Sequence, residues 1–343
     1  GGQQDLLPAG ERIDAAPQWF EAAISNAPQD KQVAYEKTEI HYRQWAGPNA
    51  DAPNLVLVHG GGAHARWYDF IAPLLTPYYN AISVDLPGMG DSGWLQNYKR
   101  EIMAEAVITM VRDAGFQSKP AIIGHSMGGM VSLMTSHLYH AELAALMMCD
   151  YYVRPPHAHE EWYMEEDDNG VMRPRETRPT RVYEDFDSAL ARFRLQPEQP
   201  CANQFIVDFI GEHSLRQVEG GWTWKFDPHM YRDFPLGRDW PEIYRDLPLP
   251  TAAMFGELSH DWENITRNEI IAFMKSLRPN MPHFDLLGAR HHVLLDQPLA
   301  FASSIKQQIE NWQAQALSIN SFCGGPGGSS PLPLPLRHQS ALP

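Results

Sequence analysis

The chain has no run of eighteen apolar residues, the minimum a membrane-spanning helix needs. No membrane partner is therefore expected. Its first thirty residues lack the basic and then apolar order of a secretory signal, which makes the cytoplasm the expected home. Positive charge is scarce: 27 Lys and Arg face 42 Asp and Glu, a formal net charge of −15. Such a balance repels phosphate backbones and excludes nucleic acid as an expected partner. Cysteine is scarcer still. Cys149, Cys201 and Cys323 are an odd number at wide spacings, which reads as reduced thiols rather than a disulfide framework. Internal repeats are absent, so no solenoid is expected.

What is present is enough apolar sequence, 43% of 343 residues, for one large α/β domain or two ordinary ones. "PQWFEAAISN" (17–26) has helical spacing, and "VAYEKTEIHYRQWA" (33–46) alternates like a strand pair. "NLVLVHGGG" and "YNAISVDLPGMGDSG" are short strands running into glycine-rich loops. Continuous apolar runs of that length predict central strands covered on both faces. The order strand, turn, helix, strand then repeats through "KPAIIGHSMGGMVSLMTSHLYH" and "AELAALMMCDYYV", the rhythm of a doubly wound sheet. "PTAAMFGELSHDW" and "MPHFDLLGARHH" supply two more strands near the end.

"GHSMG" matches the Gly-x-Ser-x-Gly elbow, in which a nucleophile sits on a sharp turn between a strand and a helix. A serine capping a helix fits the same five residues. Partners must decide between the two. A serine hydroxyl needs a base and donors for the oxyanion that forms. The loop "HGGGAHARW" has neither the lysine of a P-loop nor a dinucleotide fingerprint. It is read instead as an oxyanion loop, with the N–H of Gly61, or else Gly62, pairing with that of Met127. His291 and His292, adjacent after the last strand, are the candidate bases.

Taken in order, "HGGG", "VDLPGMGDSG", "GHSMGG" and "GARHHVLLDQP" resemble the α/β-hydrolase superfamily over about residues 33–318. More narrowly, "PQWF", "HGGGAHARWYDFIAPLL" and "HHVLLDQPLAF" resemble bacterial α/β hydrolases of mostly unassigned substrate. The resemblance implies an α/β-hydrolase fold, with an eight-stranded, mostly parallel sheet flanked by helices and a helical lid inserted after the sixth strand. It also implies chemistry without a cofactor or metal, and it selects His291 over His292. The position where relatives usually carry the acid holds Ser259, with Glu257 and Asp261 nearby. An alternative acid position, at the end of the strand after the nucleophile helix, holds Asp150. Asp150 is therefore the expected acid and Asp261 the alternative.

The expected organisation is an N-terminal extension (1–32), a first core part (33–150), a lid (151–246), a second core part (247–318) and a disordered tail or expression remnant (319–343). Trp162, Tyr163, Trp222 and Trp224, together with Phe226, are candidates to line a substrate pocket beneath the lid. His157 and His159 in "HAHEE" fit no zinc spacing and are read as surface groups. Asp85 and Asp91 are read as turn residues. The expected activity is a serine hydrolase acting on a small-molecule ester or lactone through Ser126, His291 and Asp150. Two rivals are a hydrolase of carbon–carbon bonds in diketones and a non-enzymatic receptor that encloses a ligand.

Overall fold

The computed structural model describes residues 10–322. An N-terminal helix α1 (Gln18–Ser25) precedes a hairpin of β1 (Gln29–Tyr35) and β2 (Thr38–Trp45). Then come β3 (Asn54–Val58), α2 (Ala72–Leu75), β4 (Asn80–Val84), α3 (Arg100–Asp113), β5 (Ala121–His125), α4 (Met127–Tyr139) and β6 (Ala145–Cys149). After β6 the chain leaves the sheet for about a hundred residues, described below, and returns as β11 (Thr251–Gly256) and β12 (His283–Leu286).

The eight strands lie in the order β1-β2-β4-β3-β5-β6-β11-β12. The β1–β2 and β2–β4 pairs are antiparallel and the rest are parallel. Every residue of β3, β5 and β6 is buried, as their uninterrupted apolar runs demand. The pleat sends alternate side chains to opposite faces. Val56, Val58, Ile122 and Met148 join one core with α3 and α4. Leu55, Leu57, Ile123 and Met147 join the other, beneath Phe20 of α1 and Leu75 of α2. The sheet is thus a wall between two cores. Its parallel strands all end on one edge, where ligands gather in such sheets.

The segment between β6 and β11 differs from the helical lid expected of it. It holds β7 (Met164–Glu166) paired with β8 (Met172–Pro174), α5 (Phe186–Leu190), α6 (Gln204–Glu212), β9 (Leu215–Val218) paired with β10 (Gly221–Trp224), and α7 (Trp240–Asp246). Two hairpins therefore interrupt three short helices. Their causes are local. Asp167 accepts hydrogen bonds from the N–H groups of Asn169 and Val171 while Gly170 takes φ +77°, closing the first hairpin. Gly220 and Gly221, both at positive φ, turn the second.

The core resumes with β11 (Thr251–Gly256), α8 (Arg267–Leu277), β12 (His283–Leu286), α9 (Val293–Asp296) and α10 (Pro298–Phe322). Two expected boundaries shift. The first hairpin begins at Gln29 rather than 33, and α10 runs through Phe322 rather than ending at 318. The rest of the expected tail, with Cys323, lies outside the described residues. No helix among the described residues is long and apolar enough to cross a membrane.

Candidate active site

Ser126 joins β5 to α4 with φ 56° and ψ −124°, a strained conformation for a residue with a side chain. Its surroundings leave no room for an alternative. A Cβ on Gly124 would stand 2.1 Å from the Gly128 carbonyl oxygen, and one on Gly128 would stand 2.3 Å from that of His59. Both glycines are therefore required by close backbone approach. The Ser126 side chain makes no capping bond to its helix. Its Oγ lies instead 2.9 Å from His291 Nε2.

The other nitrogen of that ring, Nδ1, lies 2.7 Å from Asp150 Oδ2. Asp150 follows β6 directly and is buried, with φ 49°. Glu36, Ser126 and Asp150 are the non-glycine residues at positive φ among those described. Two of them thus face the same imidazole. Besides His291, Asp150 accepts the Tyr152 hydroxyl at 2.7 Å, the Gly256 N–H at 2.8 Å and the Ser259 hydroxyl at 2.8 Å. Burial pushes the carboxyl up, but the hydrogen bonds and charge of His291, with Tyr152 and Gly256, outweigh it and hold the group below its ordinary value. It is an anion at neutral pH.

Ser259 thus stands where relatives usually carry the acid and donates to the carboxylate that faces His291. Asp261 is exposed and accepts the Arg267 N–H at 2.8 Å, at the start of α8. Asp150, and not Asp261, is brought to the imidazole. Glu257 points elsewhere, accepting the Gly288 N–H.

Two further histidines hold this arrangement in place. His125 Nε2 meets the His291 carbonyl at 2.7 Å, and its burial drives its pKa down to about 3, so it is a neutral donor. His292 turns away from the serine. Its ring lies against Trp67, its Nε2 meets the Pro197 carbonyl at 2.8 Å, and its N–H donates to Gln199 Oε1. It pins the long insertion to the core.

The glycine loop after β3 sits opposite. His59 Nε2 accepts the Leu86 N–H, leaving Nδ1–H to donate to the Gly60 carbonyl at 2.7 Å. Asp85 accepts the Ala65 and Asp91 N–H groups and the His41 ring. It does more than shape a turn, because it ties the glycine loop to the neighbouring strand end. Asp91 is the exposed one, paired with Lys225 at 2.9 Å. A Cβ on Gly60 would lie 3.3 Å from Ser126 Cβ, which places this loop directly against the serine. The Gly62 N–H donates to Met89 Sδ. Met127 N–H is the first of its helix and has no partner within it, and the Gly61 N–H is likewise engaged by no acceptor among the described residues. Both residues lie on the loops that meet at Ser126, and they line the same cavity floor as the serine.

A cavity of about 690 Å³ opens above these groups, floored by Ser126, Gly61 and Met127. Of the four aromatic residues expected to line it, Trp162 and Trp224 do. Tyr163 and Trp222 do not. Trp222 lies two residues from Trp224 on the same strand, some 7 Å along it, and packs edge-on against Phe186. The Tyr163 carbonyl accepts the Arg175 N–H. Phe226 lines the wall as expected, and Tyr231, Phe193 and Arg192 line it without having been singled out. Arg192 and Phe193 fall in "FDSALARFRL", whose helical spacing marks an element and not a cavity wall, and Tyr231 carries no periodic signal.

Two groups of side chains among the described residues have donor atoms close enough to share a metal: His125, His291 and His292, and His41, Asp85 and Asp91. The first is the imidazole cluster just described, and in the second His41 is already held between Asp85 and Asp30. His157 and His159 belong to neither, and His159 pairs with Glu161.

The family model described as "Alpha/beta hydrolase family" matches residues 55–304. The chain is 24% identical over 211 residues to the esterase Rv0045c of Mycobacterium tuberculosis, covering 60% of this chain and 66% of that protein. It therefore spans just under two thirds of that relative. A pimeloyl-[acyl-carrier protein] methyl ester esterase of Klebsiella pneumoniae is 33% identical over 274 residues, 74% of this chain and 91% of its own length. Among solved structures, a thioesterase domain from the curacin biosynthetic pathway superposes with a TM-score of 0.65 at 19% identity, covering 82% of this chain and 99% of that domain.

Proposed function

Because the chain belongs to the alpha/beta hydrolase family, we propose that it hydrolyses a carboxylic ester or lactone through an acyl-enzyme on Ser126. The observation that carries this reading is the unbroken chain of contacts from Ser126 Oγ through His291 to Asp150, at 2.9 and 2.7 Å. Esterase names among the relatives support the same bond class.

His291 Nε2 takes the Ser126 proton as Oγ attacks the carbonyl carbon, and Asp150 stabilises the imidazolium that results. The carbonyl oxygen becomes an oxyanion held by the N–H groups of Gly61 and Met127. Collapse breaks the bond to the alkoxide, which leaves with the proton from His291. A water then gives its proton to His291, attacks the acyl carbon and frees the acid, returning the proton to Ser126. Trp162, Trp224 and Phe226 give the substrate an apolar wall. A reducing, cytoplasmic setting suits the unpaired thiols of Cys149 and Cys201.

A fluorophosphonate probe tests the reading by mass spectrometry, with a nitrophenyl ester as the turnover substrate. Labelling is expected at Ser126, with burst release of nitrophenol. An unlabelled Ser126 in folded protein rejects the proposal.

A further inference from the structure

The wall of the cavity is charged against the sign of the whole protein. Arg175, Arg192, Arg194 and Lys225 line it with Asp227, in a chain whose net charge is −15. Some of these charges are already answered. Lys225 pairs with Asp91 at 2.9 Å, and Arg175 lies 3.9 Å from Glu165. Asp227 is spent on the Tyr98 hydroxyl and the His229 N–H. Arg194 donates to the backbone carbonyls of Ala191 and Phe193 and meets no carboxylate. The Arg192 backbone N–H donates to the Ala189 carbonyl, but its guanidinium has no hydrogen bond or ion pair among the described residues.

An acidic protein that places two unanswered guanidinium groups on the wall above its serine is built to receive an anion there. We propose that the substrate is an ester carrying a second, anionic group, a carboxylate or phosphate, that Arg192 and Arg194 hold while Ser126 meets the ester carbonyl. The planar guanidinium suits either oxyanion through paired N–H donors. The proposal rests on the hydrolase reading for the ester and on the cavity wall for the anion.

Binding to Ser126→Ala separates the two, because it asks nothing of catalysis. Calorimetry compares monomethyl adipate, its neutral dimethyl ester and a methyl ester ending in phosphate. At about 20 mM salt an anionic probe should bind roughly 10-fold tighter than the neutral diester, and at about 0.5 M salt the advantage should shrink. Whichever anionic probe gains more identifies the anion. Adding Arg192→Ala and Arg194→Ala should abolish the preference, whereas Arg112→Ala, whose guanidinium pairs with Glu142 at 2.8 Å, should keep it. Equal or tighter binding of the neutral diester, or a preference indifferent to salt, overturns the proposal even if the double variant fails to fold. An unlabelled Ser126 sinks the hydrolase reading and leaves this result standing.

A separate observation concerns Tyr231. Its hydroxyl oxygen lies 2.6 Å from where a Cβ on Gly61 would stand and 3.2 Å from Met127 Sδ. It therefore sits against the two residues proposed to hold the oxyanion. Trp162 and Phe234 hold the ring edge-on and tilted. Its hydrogen bond goes to a thioether, a weak acceptor that is readily exchanged. Burial pushes the phenol up to about 12, so it is a donor at neutral pH. We infer that Tyr231 gives the oxyanion a third hydrogen bond, an inference that rests on the acyl-enzyme reading.

Tyr231→Phe keeps the ring and removes the donor. Expected is a fall in kcat of roughly 10- to 100-fold with little change in KM, and a parallel loss of affinity for a trifluoromethyl ketone that forms a tetrahedral adduct. A kcat within twofold of the parent, or a loss confined to KM, rejects the role. Stoichiometric fluorophosphonate labelling of the parent Ser126 shows which of the two readings has failed.

Discussion

The strand-end loops and the long insertion face each other across one cavity, but they are built by different rules. Ser126 and Asp150 stand on turns fixed from below by fully buried strands and by close backbone approaches such as that of Gly128 to His59, and His291 is held through its carbonyl by the buried His125. The opposite wall is short hairpins and loops, held down at points such as His292 to Pro197. Rigidity on one side suits positioning of reacting atoms, whereas loosely regular structure on the other suits selection of what is positioned. If this division is right, changes below should act on turnover and changes above on discrimination.

The largest expected effect tests the lower side. Asp150→Asn should lower kcat roughly 10³- to 10⁴-fold, since the amide no longer stabilises the imidazolium. Asp261→Asn should stay within about twofold, because that side chain only caps the start of α8. Steady-state kinetics on one ester decide the matter. A reversed order would move the acid to Asp261 and undo the account of Ser259.

Acid should also damage the lower side first. Burial drives His64 and His125 down to about 3, and it pushes His59 and His292 below their ordinary value. All four are neutral in the native protein, whereas in the unfolded chain each titrates near 6.5. Below about pH 6.5 the unfolded state therefore binds more protons, and stability falls with pH by up to about 1.4 kcal/mol per unit for each such histidine. His41 opposes this. Although burial alone would lower it, hydrogen bonds to Asp85 and Asp30 raise it, so its contribution is present below 6.5 and is lost as pH rises through the folded value. His213, His260 and His283 are also lowered by burial and add to the fall. Asp69 and Asp296, raised by burial, oppose it with His41, and seven against three leaves a net loss. Urea titrations at pH 7 and pH 5 should show a marked fall in unfolding free energy, and equal stabilities at the two values would contradict the neutral state of these rings.

The same contrast explains what could be read without the structure. The eight strands and the elbow were legible because buried parallel strands leave continuous apolar runs and the turn leaves obligatory glycines. Asp150 was legible through its place after β6, but the reason Ser259 replaces a carboxylate became visible only when its hydroxyl was found on Asp150. Tyr163 and Trp222 were misassigned to the pocket for a complementary reason. An aromatic ring in a short hairpin can pack on its own module, as Trp222 does on Phe186, and composition does not distinguish that from lining a cavity. Even the hairpins had local signals, "DDNG" and "GG", which the density of charge and proline around them obscured.

On the upper side, Trp224→Ala should raise KM several-fold, to about 10-fold for a bulky ester, by removing apolar wall from the cavity. Trp222→Ala should leave KM near the parent value and lower only the melting temperature. Measured side by side on a short and a bulky ester, the pair sharpens the comparison within one strand. Equal effects of both on KM would mean that Trp222 reaches substrate after all.

The smallest expected effect lies where the two habits of relatives meet. Ser259→Ala removes one of the four hydrogen bonds on the Asp150 carboxylate and leaves Tyr152, Gly256 and His291 in place. Fewer donors favour the protonated form, so the Asp150 pKa should rise. The acid limb of the kcat profile should move upward with it, while kcat at its optimum falls only several-fold, in keeping with one hydrogen bond to a charged group. Such a shift at nearly full activity would mark Ser259 as a support for the acid rather than a relic of its absence. An unmoved acid limb would mean that the remaining three donors already hold the carboxylate ionised, and that the rigidity of the lower side is redundant at this position.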